Sequence, residues 1–436
     1  RQAVARLLPG TSQYFWWGFM ILAFLLPYGL IAAELGTAYA GDGGLYDWIH
    51  AAYPEGKWAA RASWYYWINF PLWMASLAVM CPELLRDITG RQMGTIASLT
   101  VQLLFIWIVT LIACYPVCDS IVILNVSAVI KILLALLVGG LGVWYISRYG
   151  FVNDMSARTF LPSFDLTSLS YISVIIFNFL GFEVVCTFAG SMSEPKKQIP
   201  QSIVTGGIVI AAIYLFSAFG IGAAIPTHEI SEDSGLIDAV SLILGADGGV
   251  LVGVVALLFL VTLFGNMISW SMGVNSTAAL AADHNDMPRV FAKRWAKNNM
   301  PVGSAVASGV VASGVCVLGV LIETVTPDSS LFWSFFALNL VMLLLSYLPV
   351  FPAFLKLRRV DAKTPRPFRV PGSDAALRCI AYVPMALIII SIIFTAVPLS
   401  FDEETLKSFL PITIGTILSA AIGEVLIALR GKTARS

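Results

Sequence analysis

The run Phe177-Asn178-Phe179-Leu180-Gly181-Phe182-Glu183 sets an amide, a glycine and a carboxylate inside an apolar segment long enough to cross a bilayer. Lipid cannot satisfy backbone groups freed at such a break, so the chain there must be buried in protein or line a watery cavity. A solute site is the reading this favours. Glu183 has three chemical uses at membrane depth: sensing protons, holding a cationic group of a solute, or capping freed backbone amides. Lys131 stands about eleven residues into another apolar segment, which at 1.5 Å per residue puts it roughly 16 Å deep, near the midplane. It can fill the place of a bound cation, carry a coupled proton, or pair with backbone carbonyls without titrating.

Asn178, Asn266 and Asn339 lie in other membrane-depth positions, where an amide bonds either a solute or a neighbouring helix. Phe177 and Trp270 are the aromatic side chains placed to close over a solute, or simply to pack. The six cysteines (Cys81, Cys114, Cys118, Cys186, Cys316 and Cys379) are scattered and show no metal-type spacing with the three histidines. No metal, no cofactor and no enzymatic nucleophile is therefore expected.

These groups must be positioned by membrane helices. Of the 436 residues 58% are hydrophobic and 12% charged, with a mean hydropathy of +0.84, which defines an all-α polytopic membrane protein. Spans of the necessary length fall at Tyr14 to Leu35, Arg61 to Leu84, Met93 to Cys114, Ser120 to Ile146, Leu169 to Met192 and Ile203 to Ile225. Five more follow at Gly249 to Asn275, Gly303 to Val325, Ser330 to Leu355, Leu377 to Leu399 and Phe409 to Leu429. The apolar stretch Arg1 to Gly10 is too short to cross alone and reads as the second half of a first helix.

Lys and Arg collect on one side of this arrangement: Lys196 and Lys197, then Arg289, Lys293, Arg294 and Lys297, then Lys356 through Arg369, and Arg430, Lys432 and Arg435 in the tail. Glu229, Glu232, Asp233, Asp402, Glu403 and Glu404 mark the other side. The basic loops and the C-terminus are accordingly expected in the cytoplasm, with the spans in the cell membrane. The zero net charge gives no support to a nucleic-acid partner. Loops are short throughout, so residues 1–436 form one transport domain.

Several strings carry a resemblance. Ala33-Glu34-Leu35-Gly36-Thr37-Ala38-Tyr39, followed by Gly43-Gly44-Leu45-Tyr46-Asp47-Trp48, looks like the segment after the second helix of the amino acid-polyamine-organocation superfamily. Phe179-Leu180-Gly181-Phe182-Glu183, leading to Glu194-Pro195-Lys196-Lys197-Gln198-Ile199-Pro200, resembles its sixth-helix pattern, and Ala128 to Leu136 a fifth-helix pattern. Ile268-Ser269-Trp270 with Gly273, Asn298 to Val302, and Pro367 to Gly372 look most like the glutamate:GABA antiporter branch.

The resemblance implies a five-plus-five inverted-repeat, leucine-transporter-like fold with two additional C-terminal helices. The first repeat would span 1–146, lacking the first half of helix 1, the second 169–355, and the extra helices 377–429. It further implies that backbone around Phe177, Asn178, Phe179, Leu180 and Gly181 meets the substrate amino group, with Phe177 as a gate and Trp270 and Asn266 beside the substrate. Lys131 would occupy the place of a structural sodium and Glu183 a proton-sensing position. Two departures stand out: the first-helix segment for a substrate carboxylate is at most grazed by Arg1 and Gln2, and Asn275-Ser276 replaces an arginine usual after the eighth-helix tryptophan. The expected activity is secondary transport of amino acids or amino-acid-derived amines by alternating access, as a sodium-independent exchanger, with proton symport as the alternative. Lys131 speaks against a sodium symporter, and the broken-helix site against a channel.

Overall fold

A computed structural model describes residues 12–155, 166–226, 235–245, 249–325, 331–398 and 403–433. Residues 1–10, the acidic residues Glu229, Glu232, Asp233 and Asp402, and Arg435 lie outside these ranges. The apolar runs become helices because only a helix satisfies all backbone groups within a single spanning segment. In chain order they are α1 (Ser12–Met20), a π-helical turn (Ile21–Leu25), α2 (Leu26–Ala38), α3 (Leu45–Ala52), α4 (Trp58–Thr89), α5 (Thr95–Ala113) and α6 (Val117–Tyr149). Next come α7 (Leu166–Phe179), a 3-10 helix (Phe182–Ser191), α8 (Pro195–Ala224), α9 (Gly235–Leu244), α10 (Gly249–Asp283) and a second 3-10 helix (Arg289–Ala292). The chain continues through α11 (Val302–Val325), α12 (Leu331–Tyr347), α13 (Val350–Val360), α14 (Asp374–Ala396) and α15 (Glu403–Thr433).

Over the described residues each expected span is mainly helical, and two of them are interrupted. The Leu169 to Met192 span stops as an α-helix at Phe179 and resumes as a 3-10 helix at Phe182. The Ser330 to Leu355 span breaks between Tyr347 and Val350, where Pro349 lacks the N–H that a continuous helix needs. Ten helical segments are long and apolar enough to cross a membrane among the described residues, and the shorter Ile172–Thr187 belongs to the broken span.

Helix α4 is the central pillar. Of its membrane window 83% is buried against other helices, compared with 11% for α15, so α4 forms the core and α15 borders the lipid. It packs most extensively on α12 and α10. Helices α6 and α8 approach until their backbones touch: a Cβ on Gly142 would stand 2.3 Å from the Cα of Gly220, a contact only glycine permits.

At the basic end, Glu34 is fully buried at the foot of α2. It accepts from Nε of Arg358 at 2.8 Å, from that residue's Nη2, and from the Val370 backbone N–H at 2.7 Å, while Arg366 Nε stands 3.3 Å away. Beside it, Thr364 and Tyr39 donate to Asp361 and hold that carboxyl below the usual range. The acidic residue of the Ala33 to Tyr39 string thus ties α2 to α13 and to the Pro367 to Gly372 loop.

Candidate functional site

Gly181 adopts φ +98°, a conformation other residues rarely tolerate, and it ends α7 at the expected place. The turn closes through Leu180 N–H to Phe177 C=O and Val184 N–H to Gly181 C=O, each at 3.1 Å. Glu183, on the first turn of the 3-10 helix, folds back so that its Oε2 accepts from the Gly181 N–H at 3.0 Å. Its Oε1 accepts from the hydroxyl of Tyr347, the last residue of α12. Both carboxylate oxygens are therefore satisfied, at a side chain only 2% exposed.

Rings surround this carboxylate. The Tyr28 ring meets Phe182 at 5.2 Å and Tyr347 edge-on at 5.5 Å between centroids, and its hydroxyl is buried beside Glu183. Tyr66 of α4 lies 6.2 Å from Tyr347 and 5.9 Å from Trp270. Trp73, two turns along α4, stands perpendicular to both Trp270 (5.4 Å) and Phe177 (5.2 Å), and Phe177 continues onto Phe336 of α12 at 5.0 Å. Trp270 lies directly on the break, since a Cβ on Gly181 would come within 2.7 Å of its Cζ2. Edge-to-face contacts of this kind hold ring orientation as well as burying area.

Two buried amides stand one turn from these rings on α4 and α12. Asn69 of α4 and Asn339 of α12 are fully buried, donate to the carbonyls of Tyr66 and Phe336, and leave their side-chain oxygens without a donor. A carboxylate, bare amide oxygens and ring faces form an environment that attracts an organic cation through charge, hydrogen bonding and the ring quadrupole.

Of the residues singled out from the sequence, Phe177, Gly181, Glu183 and Trp270 are brought together. Asn266 is half-buried one turn before Trp270 on the same face of α10. Leu180 is half-buried at the break, whereas Asn178 bonds back to Val174 C=O at 2.8 Å and Phe179 turns away to pack edge-on against Trp17 at 5.2 Å. Lys131 does not join this group, and its side chain is exposed. Its register is nevertheless that of the packed stripe of α6, with Ser127, Leu134 and Val138 buried on the same face. Asn275, at the position of the missing arginine, is buried and bonds Ser271 at 2.8 Å while accepting from Ser308, which joins α10 to α11.

Tyr28, Tyr66, Trp73, Phe336, Tyr347 and Asn69 were not picked out by the sequence reading. The signals were present: Tyr66, Asn69 and Trp73 recur at spacings of three and four along one helix face, and Tyr347 stands just before a proline inside an apolar run.

An amino acid permease family model matches residues 3–421. A protein of Lactococcus lactis subsp. lactis described as "Probable agmatine/putrescine antiporter AguD" is 58% identical over 96% of this chain and 89% of its own length. The "Glutamate/gamma-aminobutyrate antiporter" of the same organism is 22% identical over 86% of this chain and 76% of its own. Among solved structures, MhsT in complex with L-phenylalanine superposes with a TM-score of 0.58 at 18% identity, covering 88% of this chain and 91% of that one. This likeness carries the fold, a leucine-transporter-like architecture consistent with the five-plus-five inverted repeat. On the match of the family model across nearly its whole length, the chain belongs to the amino acid permease family of the amino acid-polyamine-organocation superfamily.

Proposed function

We propose that the chain is an exchanger of amino-acid-derived organic cations, of the agmatine and putrescine class, working by alternating access around the break at Gly181. The observation that carries this reading is the buried carboxylate of Glu183 inside a wall of rings. A zwitterionic amino acid brings a carboxylate of its own, which this box would meet with Glu183, two bare amide oxygens and the negative faces of the rings. A diamine or guanidino-amine brings only positive ends. In the structure Tyr347 occupies Oε1 of Glu183, so an arriving cation or proton competes with that hydroxyl. Release of Tyr347 frees α12 from the break, which supplies a physical link between occupancy and movement of the two elements.

The 58% identical relative, described as a probable agmatine/putrescine antiporter, supports the substrate class. Lys131 and Glu183 are the groups assigned to coupling, with no sodium required. We place the basic loops in the cytoplasm and the repeats at 1–146 and 169–355, with 377–429 outside them; the protein works as a carrier, not an enzyme, in the cell membrane.

The test is exchange in proteoliposomes. Vesicles preloaded with putrescine should take up labelled agmatine, and empty vesicles should not. Uptake of labelled glutamate or γ-aminobutyrate in place of agmatine under the same preload would overturn the substrate assignment.

A further inference from the structure

A crevice of about 340 Å³ lies between α15 and α11, floored by α4 and closed at the basic end by the 3-10 helix Arg289–Ala292. Trp64, Trp67, Phe291, Val311, Ile422 and Leu426 line it. Its walls are built rather than accidental. Trp67 packs at a tilt against Phe291 at 4.5 Å and leans on Trp64 at 5.6 Å, whose indole N–H is taken by Ser419 C=O at 2.8 Å. The outer rim, Val310, Ile422 and Val425, is exposed, so the crevice faces the bilayer and not the substrate box.

Its basic end carries two cations outside any ion pair. Arg289 and Lys293 are exposed at the two ends of the 3-10 helix that supplies Phe291, and neither takes part in an ion pair among the described residues. Lys57, also exposed, precedes the first turn of α4. Two neighbouring acids are already paired: Arg61 holds Glu424 at 2.5 and 3.0 Å, and Arg294 holds Asp283 at 3.1 and 2.7 Å.

The geometry points to a binding site for one anionic phospholipid, with an acyl chain in the crevice and the phosphate headgroup at Arg289 and Lys293. An apolar slot opening among spanning helices is supplied with chains by the bilayer itself. Tryptophans near its basic end suit the interfacial depth at which acyl chain gives way to headgroup. A zwitterionic lipid would fill the slot equally well but bring no net negative charge to the basic rim, so the cations select the headgroup.

Photolabelling tests this. The protein in detergent micelles is given a trace of phosphatidylglycerol with a diazirine in its acyl chain, and the labelled peptides are mapped after illumination. Label should concentrate on residues 288–291 and 419–426, and unlabelled phosphatidylglycerol should compete at a roughly tenfold lower concentration than added phosphatidylcholine. Ile422→Trp, at an exposed rim position, should remove this label by filling the slot. Arg289→Gln with Lys293→Gln, also at exposed positions, should bring the two competitors level while labelling persists. Label spread evenly along the exposed faces of α14 and α15, equal competition by both lipids in the parent protein, or an unchanged preference in the charge variant would each overturn the proposal.

Discussion

The hydroxyl of Tyr347 donates to Oε1 of Glu183 across 164 positions of sequence, joining the end of α12 to the break between α7 and its 3-10 continuation. Because Oε2 is held by the Gly181 N–H within the same turn, Tyr347 is the partner that can leave without unmaking the break. Removing its hydroxyl should therefore alter coupling more than folding. Tyr347→Phe is expected to retain agmatine binding and to shift the pH dependence of exchange, whereas Glu183→Gln, which cannot titrate, should flatten the rate-versus-pH profile and weaken cation binding. Proteoliposome exchange from acid to neutral pH, with equal pH on both sides, checks both. A Gln variant that follows the parent profile removes Glu183 from coupling.

Trp270 and Gly181 form a contact that only glycine allows, and each side of it is testable. Trp270→Ala takes a ring face from the box and should weaken agmatine binding by roughly 0.5–2 kcal/mol, about two- to thirtyfold, with Trp270→Phe partly restoring it. Gly181→Ala adds a Cβ that meets Trp270 at 2.7 Å and strains a backbone at φ +98°, at a cost of order 1–3 kcal/mol. Phe177→Ala should behave differently, slowing turnover more than it weakens binding, because a lid contributes chiefly to the occluded state. Equilibrium binding set beside exchange rates separates the three.

Glu34, its side chain 1% exposed, is paired with Arg358 and Arg366, whose side chains are 10% and 8% exposed, the most deeply buried ion-pair cluster among the described residues. Removing one partner of such a pair leaves an uncompensated buried charge, a loss of about 3–5 kcal/mol. Glu34→Gln and Arg358→Ala are expected to lower Tm in detergent by several degrees. The double change Glu34→Gln with Arg358→Ala should cost less than the sum of its parts. Additive losses in that cycle would mean that the Val370 N–H and Arg366 contacts, not the pair, hold the α2 foot.

Apolar runs and the Phe177 to Glu183 string made the helices and the break readable, because a membrane admits few backbone solutions and an interruption there has to serve a purpose. The glycine and the carboxylate were recognised from their own chemistry. Their partners were harder to see. Nothing local in α12 announces that Tyr347 reaches Glu183, and Trp73 and Phe336 look like ordinary lipid-compatible rings until α4 is placed at the centre of the bundle. Phe179 shows the converse limit: it shares the string with Phe177, yet helical rotation turns it to Trp17 on the far side. Asn178 likewise spends its amide on its own helix, as membrane amides do when no neighbour offers a better acceptor.

Lys131 is the residue at which register and exposure diverge. It lies on the stripe of α6 that buries Ser127, Leu134 and Val138, one turn from the place where Ser127 presses on Gly265 of α10, and its ammonium is nonetheless open. The resemblance that sets Lys131 at the place of a structural sodium leaves no role for a bound sodium ion, and exchange is therefore expected to run unchanged when sodium is replaced by choline at constant pH. Lys131→Ala should slow exchange strongly while leaving Tm near the parent value, since the side chain is exposed. Lys131→Arg keeps the charge but cannot deliver a proton, so it separates the two roles: recovery of exchange in the arginine variant assigns fixed charge, and failure of both variants assigns proton transfer. Full activity of the alanine variant at every pH, or a more than few-fold sodium dependence in the parent, would take Lys131 out of the mechanism altogether.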